Sequence, residues 1–191
     1  MLSQLRPAAT LLALFTLLLG LAYPAAMTEL AQATMPYQAN GSIVLRDGEP
    51  VGSSIVGQAF ATPQYLHPRL SAAGQGYDAS ASGGTNLAPT SAKLAARLTG
   101  DGAALSAETG ATLLPADAVT ASGSGLDPDI SPAYAQLQAP RIAQARGLTV
   151  DAVRAILDRA TSGRTFGILG EPRVNVLQAN LALDTAAPLA R

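Results

Sequence analysis

The hydrophobic pattern of this chain changes character once, near Glu29. Between Arg6 and Glu29 no charged residue interrupts an apolar run of about 22 positions, enough for a helix rising about 1.5 Å per residue to cross a hydrocarbon layer of about 30 Å. From Ala8 to Leu21 nearly every residue is Ala, Leu, Phe or Thr, so a helix here has no polar face to turn to water. The pattern predicts one membrane-spanning helix over Leu5 to Thr28. Tyr23 and Pro24 fall at its outer end, where an amphipathic ring suits the headgroup level and proline a helix terminus. Arg6 and the amino terminus are the only positive charges before Arg46, which keeps the short tail in the cytoplasm and the remainder outside. A cleavable signal peptide competes, with Ala22, Ala25 and Ala26 as small residues, but an h-region of about 7 to 15 residues is shorter than this run. Both readings export the body.

The expected fold class is α+β: residues 1–28 as tail and span, 29–41 as a linker, and 42–191 as one mixed α/β extracytoplasmic soluble domain. Ser42 to Arg46 alternates like a strand, Asp47-Gly48 is a hairpin turn signal, and Pro50 to Gln58 supplies the returning run. Gly52 and Gly57 there indicate a bulge or a close backbone approach. Ala61 to Ser91 has no period and reads as a long loop, ordered by Tyr65, Leu66, Leu70 and Tyr77. Thr90 is placed to cap a helix over Ser91 to Thr99, which Gly100 and Gly102 should break before a second short helix over Ala103 to Thr109. Val119 to Ile130 is a second Ser/Gly loop. It ends at Ser131-Pro132, a cap followed by proline at the first helical position. Pro140 should divide the helix that follows into Ala133 to Gln138 and Arg141 to Arg146, closed by Gly147. Thr149 caps Val150 to Ala160, with Val150, Val153, Leu157 and Ala160 as its apolar stripe. Gly163 ends it, Thr165 to Leu169 reads as a short strand, and period leaves Val174 to Asp184 open between helix and strand.

Composition narrows the chemistry. Twelve basic against thirteen acidic residues give no field to gather a polyanion, and with no Trp and few Phe and Tyr there is little for base stacking. The spacing of Ala143, Gly147 and Val153 mimics a helix-turn-helix, but Asp151 and Asp158 on the second helix oppose DNA, so two packed helices explain it and a membrane-bound DNA-binding regulator ranks third among the readings. Absence of Cys removes disulfides and thiolate sites, and a single histidine, His67, cannot supply a two-imidazole zinc site. The Ser/Gly loops suggest an anion nest, yet no G-x-x-x-x-G-K-[ST] occurs and Lys93 is the sole lysine. Ser82, Ser122 and Ser124 are the candidate nucleophiles of an anchored exported hydrolase, without Gly-x-Ser-x-Gly; Thr90 to Lys93 only approximates Ser-x-x-K. A loop-pinning role for His67 is favoured over a triad. Asp127 and Asp129 could flank a cation or serve as capping residues. No catalytic residue and no metal ligand is assigned.

Four stretches in order carry a resemblance. The first is Arg6-Pro7-Ala8, Leu14-Phe15-Thr16 and Gly20-Leu21-Ala22-Tyr23-Pro24. The second runs from Val51-Gly52-Ser53 through Gly57-Gln58 and Phe60 to His67-Pro68-Arg69 and Ser71-Ala72-Ala73. The third is Tyr77-Asp78-Ala79, Ser82-Gly83-Gly84 and Asn86-Leu87. The fourth joins Val119 through Pro128, Ile130-Ser131-Pro132, Ala145-Arg146-Gly147 and Gly170 through Leu177. Together they resemble the C subunit of the Kdp potassium-transporting P-type ATPase over nearly the whole chain. Asp129 stands where that family usually has His. The resemblance implies an accessory, non-catalytic subunit of a high-affinity ATP-driven potassium uptake complex in the bacterial inner membrane. The implied partners are a channel-like potassium-binding subunit, a P-type ATP-hydrolysing subunit and a small membrane subunit. ATP and potassium act in the complex, with no cofactor assigned to this chain. The family is also described as a catalytic chaperone that raises the ATP affinity of the hydrolysing subunit. The two long loops would suit docking on the outer face of the channel-like subunit, with Gln58, His67, Arg69, Tyr77, Asp78, Ser82, Asn86, Ser122, Ser124 and Asp127 as interface candidates.

Overall fold

A computed structural model describes residues 2–188. The apolar run folds as one continuous helix from Leu5 to Thr34: α1 (Leu5–Leu17), a π-helical turn (Leu18–Ala22) and α2 (Tyr23–Thr34). None of it is buried against the body, as expected of a segment whose apolar side chains have lipid for solvent. At 1.5 Å per residue its 30 residues span about 45 Å, more than the hydrocarbon layer needs. The helix therefore passes the Thr28 boundary, and the first six residues taken for linker are helical because nothing after Thr28 breaks the backbone ladder before Met35. A helical turn, α3 (Pro36–Ala39), follows.

β1 (Ile43–Arg46) and β2 (Glu49–Ser53) form the expected hairpin around Asp47-Gly48. Its register slips between Val44 and Leu45, a bulge on the β2 side. Gly52 is required beside it: at φ +155° a Cβ there would lie 2.0 Å from Gln58 Oε1.

The body's core is helical. α6 (Pro132–Arg146) and α7 (Val150–Arg159) pack as an antiparallel pair, and α8 (Val176–Ala186) lies against α7. Between them Ile142, Leu157, Val153 and Leu183 are fully buried with Ala135, Ala139 and Ala143. Each Leu or Ile so buried is worth about 2 kcal/mol. Ala143 and Val153, two of the three positions that mimic a DNA-binding turn, are thus core contacts between these helices. Gly147 (φ +66°) closes α6 in a Schellman turn, with Leu148 N donating to Ala143 O at 3.0 Å. The expected caps hold: Ser131 Oγ accepts from Tyr134 N at 3.0 Å, and Thr149 Oγ1 from Ala152 N at 3.2 Å. A small antiparallel sheet, in the order β3 (Asp129–Ile130), β5 (Arg173–Asn175), β4 (Thr161–Ser162), edges this core.

Several expected boundaries are corrected. α4 (Ala92–Thr109) runs unbroken through Gly100 and Gly102; the left-handed stop comes at Gly110 (φ +69°), and Ser91 rather than Thr90 is the cap. A helical glycine costs about 1 kcal/mol, which weakens a helix without ending it. α6 likewise continues through Pro140, because Ala139 on one side and Ile142 and Ala143 on the other are all held in the core. Thr165 to Leu169 is a tight turn closed by a pair of backbone bonds between those two residues, while the strand lies earlier, at Thr161–Ser162. α7 ends at Arg159, before Gly163. The open segment resolves as the strand β5 followed by α8, with Asn175 Oδ1 capping Gln178 N at 3.1 Å. A short helix, α5 (Ala116–Val119), had no sequence signal.

Candidate partner-docking face

The two long loops lock together. Leu70 and Ala121 form a parallel bridge, and Ser122 N donates to Leu70 O at 2.9 Å. Gly83 N and Ser82 Oγ both donate to Ser124 O, at 2.8 and 2.9 Å. Ser71 Oγ donates to Gly125 O at 2.7 Å and accepts from Tyr77 N at 2.8 Å. Arg69 reaches across: its guanidinium donates to Asp127 Oδ2 at 3.1 Å, Ala121 O at 3.2 Å and Thr120 Oγ1 at 3.3 Å. The Tyr77 hydroxyl donates to Arg69 O, and burial pushes its phenol well above the usual tyrosine range. Backbones approach so closely that a Cβ on Gly57 would sit 2.6 Å from Asp127 O, and one on Gly125 (φ +70°) 2.7 Å from Ala73. The Ser/Gly composition is the sterics of this contact.

The candidate residues divide accordingly. Arg69, Tyr77, Ser82, Ser122, Ser124 and Asp127 come together in the loop knot, whereas Gln58 turns to the hairpin, its Nε2 donating to Val51 O of β2 at 3.2 Å. Asp78 shapes its own turn: Ser80 N and Oγ donate to its carboxylate, which holds it below the ordinary aspartate range. Asn86 is exposed, in a left-handed conformation (φ +51°). His67 lies elsewhere, against α6. Burial lowers its pKa, and its Nε2 sits 3.0 Å from Thr62 O and 3.4 Å from Arg141 Nη1.

The serines spend their hydroxyls on local turns. Ser122 Oγ accepts from Asp127 N at 3.3 Å and Ser124 Oγ from Leu126 N at 3.1 Å, the two oxygens 3.2 Å apart. Asp127 pairs with Arg69, and Asp129 with Arg173 at 3.0 Å and Asn175 at 3.0 Å, so each carboxylate already faces a guanidinium. Among the described residues no three His, Cys, Asp or Glu side chains gather as metal ligands.

Sequence reasoning missed the polar groups that seat the first loop on the helices. Asn180 of α8 accepts from Leu66 N at 2.7 Å and donates to Leu66 O at 3.0 Å. Gln138 of α6 does the same for His67, at 2.8 and 3.0 Å. Below them Arg146, its side chain fully buried, donates to Asp184 Oδ1 at 2.7 Å, Gln64 O at 2.7 Å and Ala187 O at 3.0 Å, under the Tyr65 ring. Asp184 also takes Arg46 Nη1 at 2.6 Å, which ties the hairpin to α8. Burial opposes the Asp184 charge, but hydrogen bonds from both arginines outweigh it and hold its pKa below the ordinary value. One signal was available: Gln138 stands between Tyr134 and Ile142 at four-residue spacing on an apolar helix face, where an amide needs a partner.

The family model described as "KdpC: K+-transporting ATPase, c chain" matches residues 5–185, from the foot of the membrane helix to the end of α8. The chain belongs to the KdpC family. It is similar to the potassium-transporting ATPase KdpC subunit of Caulobacter vibrioides, 57% identical over 98% of this chain and 96% of that protein. The subunits of Rhodospirillum rubrum and Beijerinckia indica are 54% and 52% identical, the first over the full length of both chains, the second over 100% of this chain and 98% of its own. The likeness thus embraces the helix, the loop knot and the helical core that seats it.

Proposed function

We propose that this chain is the accessory, non-catalytic subunit of a high-affinity ATP-driven potassium uptake complex, required for assembly and stability. The observation that carries the reading is the match to the KdpC family from residue 5 to residue 185, over a chain built as one membrane helix and one compact body. In this reading the amino terminus is cytoplasmic and the body extracytoplasmic, as the position of Arg6 relative to the apolar run supports. The partners are the channel-like, the ATP-hydrolysing and the small membrane subunits. The loop knot docks on the outer face of the channel-like subunit: its two loops are already joined by hydrogen bonds in the chain alone, so association has less to order. Any rise in ATP affinity is transmitted through the complex, as a shift between states that bind ATP differently. The alternative, an anchored hydrolase using a Ser/Gly-loop serine, is disfavoured because all three candidate hydroxyls are engaged in hydrogen bonds within the loops and His67 faces Thr62 and Arg141 instead.

The test is affinity purification of the tagged chain from membranes of potassium-starved cells, with assay of potassium-stimulated ATP hydrolysis. A P-type ATPase and a channel-like protein should co-purify, and deleting this chain should abolish the stimulated activity. Recovery of the chain alone would refute the subunit reading.

A further inference from the structure

We propose that His67 and Arg141 form an acid-sensitive latch, which holds residues 62–65 on α6 at neutral pH and releases them when the imidazole is protonated. The geometry is compact. Arg141 Nη1 donates to Pro63 O at 2.7 Å and Tyr65 O at 3.1 Å, so one guanidinium braces the stretch that His67 closes by its contact with Thr62 O. His67 Nε2 lies only 3.4 Å from that same Nη1. A neutral imidazole tolerates this distance; an imidazolium there places two cations in contact in a half-buried setting, where charge repulsion is weakly screened. The titratable groups around the cavity of about 320 Å³ that His67 lines are Arg141 and Tyr134 of α6 and Glu108 of α4. Glu108 Oε1 already pairs with Arg141 Nε at 3.3 Å and is half exposed, so it offsets the second positive charge only in part. Burial, the largest influence, and Arg141 lower the His67 pKa, the hydrogen bond to Thr62 O and the Glu108 charge oppose them, and the net displacement is downward. Because Leu66 and His67 are additionally gripped by Asn180 and Gln138, release is confined to the segment before them.

The latch is a property of the chain alone and is tested without partners. The full chain in lipid nanodiscs is labelled with 13C-histidine, whose signal is unambiguous because His67 is the sole histidine. The imidazole should titrate below the ordinary 6.5. Amide exchange over residues 62–65, corrected for intrinsic chemistry, should quicken between about pH 7.5 and pH 5, by about tenfold for each pH unit of that displacement. His67→Gln, which keeps a donor for Thr62 O but cannot titrate, should remove the acid response. Glu108→Gln should move the imidazole titration further down. A titration at or above 6.5, or an undiminished acid response in His67→Gln, would overturn the latch.

Discussion

The long loop between the hairpin and α4 is held in two places by opposite means. At Leu66 and His67 it is gripped by side chains: the amides of Asn180 and Gln138 each satisfy a backbone N–H and C=O, over the buried Arg146–Asp184 pair. From Arg69 to Gly84 it is gripped by another loop's backbone, through glycines that permit contact and a partly exposed Arg69–Asp127 pair. The first grip is buried and polar, so each partner removed strands a group with no water to replace it. The second is only partly buried, Ser122, Gly125 and Ala73 excepted, so water can take the place of several of its lost bonds. The same loop is therefore fixed firmly at its root and adjustably at the face proposed for docking.

The largest effect is expected at the root. Arg146→Met leaves Asp184 without its buried partner and should cost about 3–5 kcal/mol, read as a lower denaturant midpoint for the full chain in detergent. A loss under about 1 kcal/mol would place this pair with ordinary surface ion pairs and erase the contrast. The pair also sets a pH limit. Since the folded Asp184 pKa is depressed, its contribution is complete above the ordinary 3.8 and is lost as pH falls through the folded value. Thermal unfolding should therefore show an acid loss below about pH 4 that Asp184→Asn lacks. Next comes Asn180→Leu: the same branched outline, but it strands the Leu66 N–H and C=O in the core, for about 2–4 kcal/mol.

These positions also mark what the sequence could and could not reveal. The membrane helix was legible because lipid demands an unbroken apolar run, and the caps at Ser131 and Thr149 because capping is local chemistry. The supposed breaks failed for other reasons: at Pro140 burial of Ala139, Ile142 and Ala143 outweighs the local preference of the residue between them, and at Gly100 a glycine weakens the helix without ending it. Arg69, Tyr77, Ser122 and Asp127 were singled out along the chain, and the structure brings them together. Arg146 and Asp184 carried no mark of each other, since partners 38 positions apart meet only through the packing of α6 and α8.

In the knot the expected effects are smaller and depend on space. Gly125→Ala forces a side chain onto a left-handed backbone and against Ala73, 2.7 Å away, and should cost about 1–3 kcal/mol. Gly123→Ala, two positions earlier with open space around it, should cost under about 1 kcal/mol. Equal losses would show that the loops are not held by close backbone approach.

The finest discrimination lies with Asp127. Asp127→Asn removes the ion pair with Arg69 but retains an oxygen for Asp129 N, and with both side chains partly exposed it should cost no more than about 1 kcal/mol. Its effect on assembly should be larger than its effect on folding. Arg69 would keep Ala121 O and Thr120 Oγ1 yet lose the anion that fixes its direction, so the face offered to a partner would alter while the body stays folded. The measurement is yield of assembled complex against the unfolding midpoint of the isolated chain. A variant that assembles as well as the parent would move the docking face away from Arg69 and Asp127, and a variant that unfolds as readily as Asn180→Leu would show the knot to be as much a part of the core as the root.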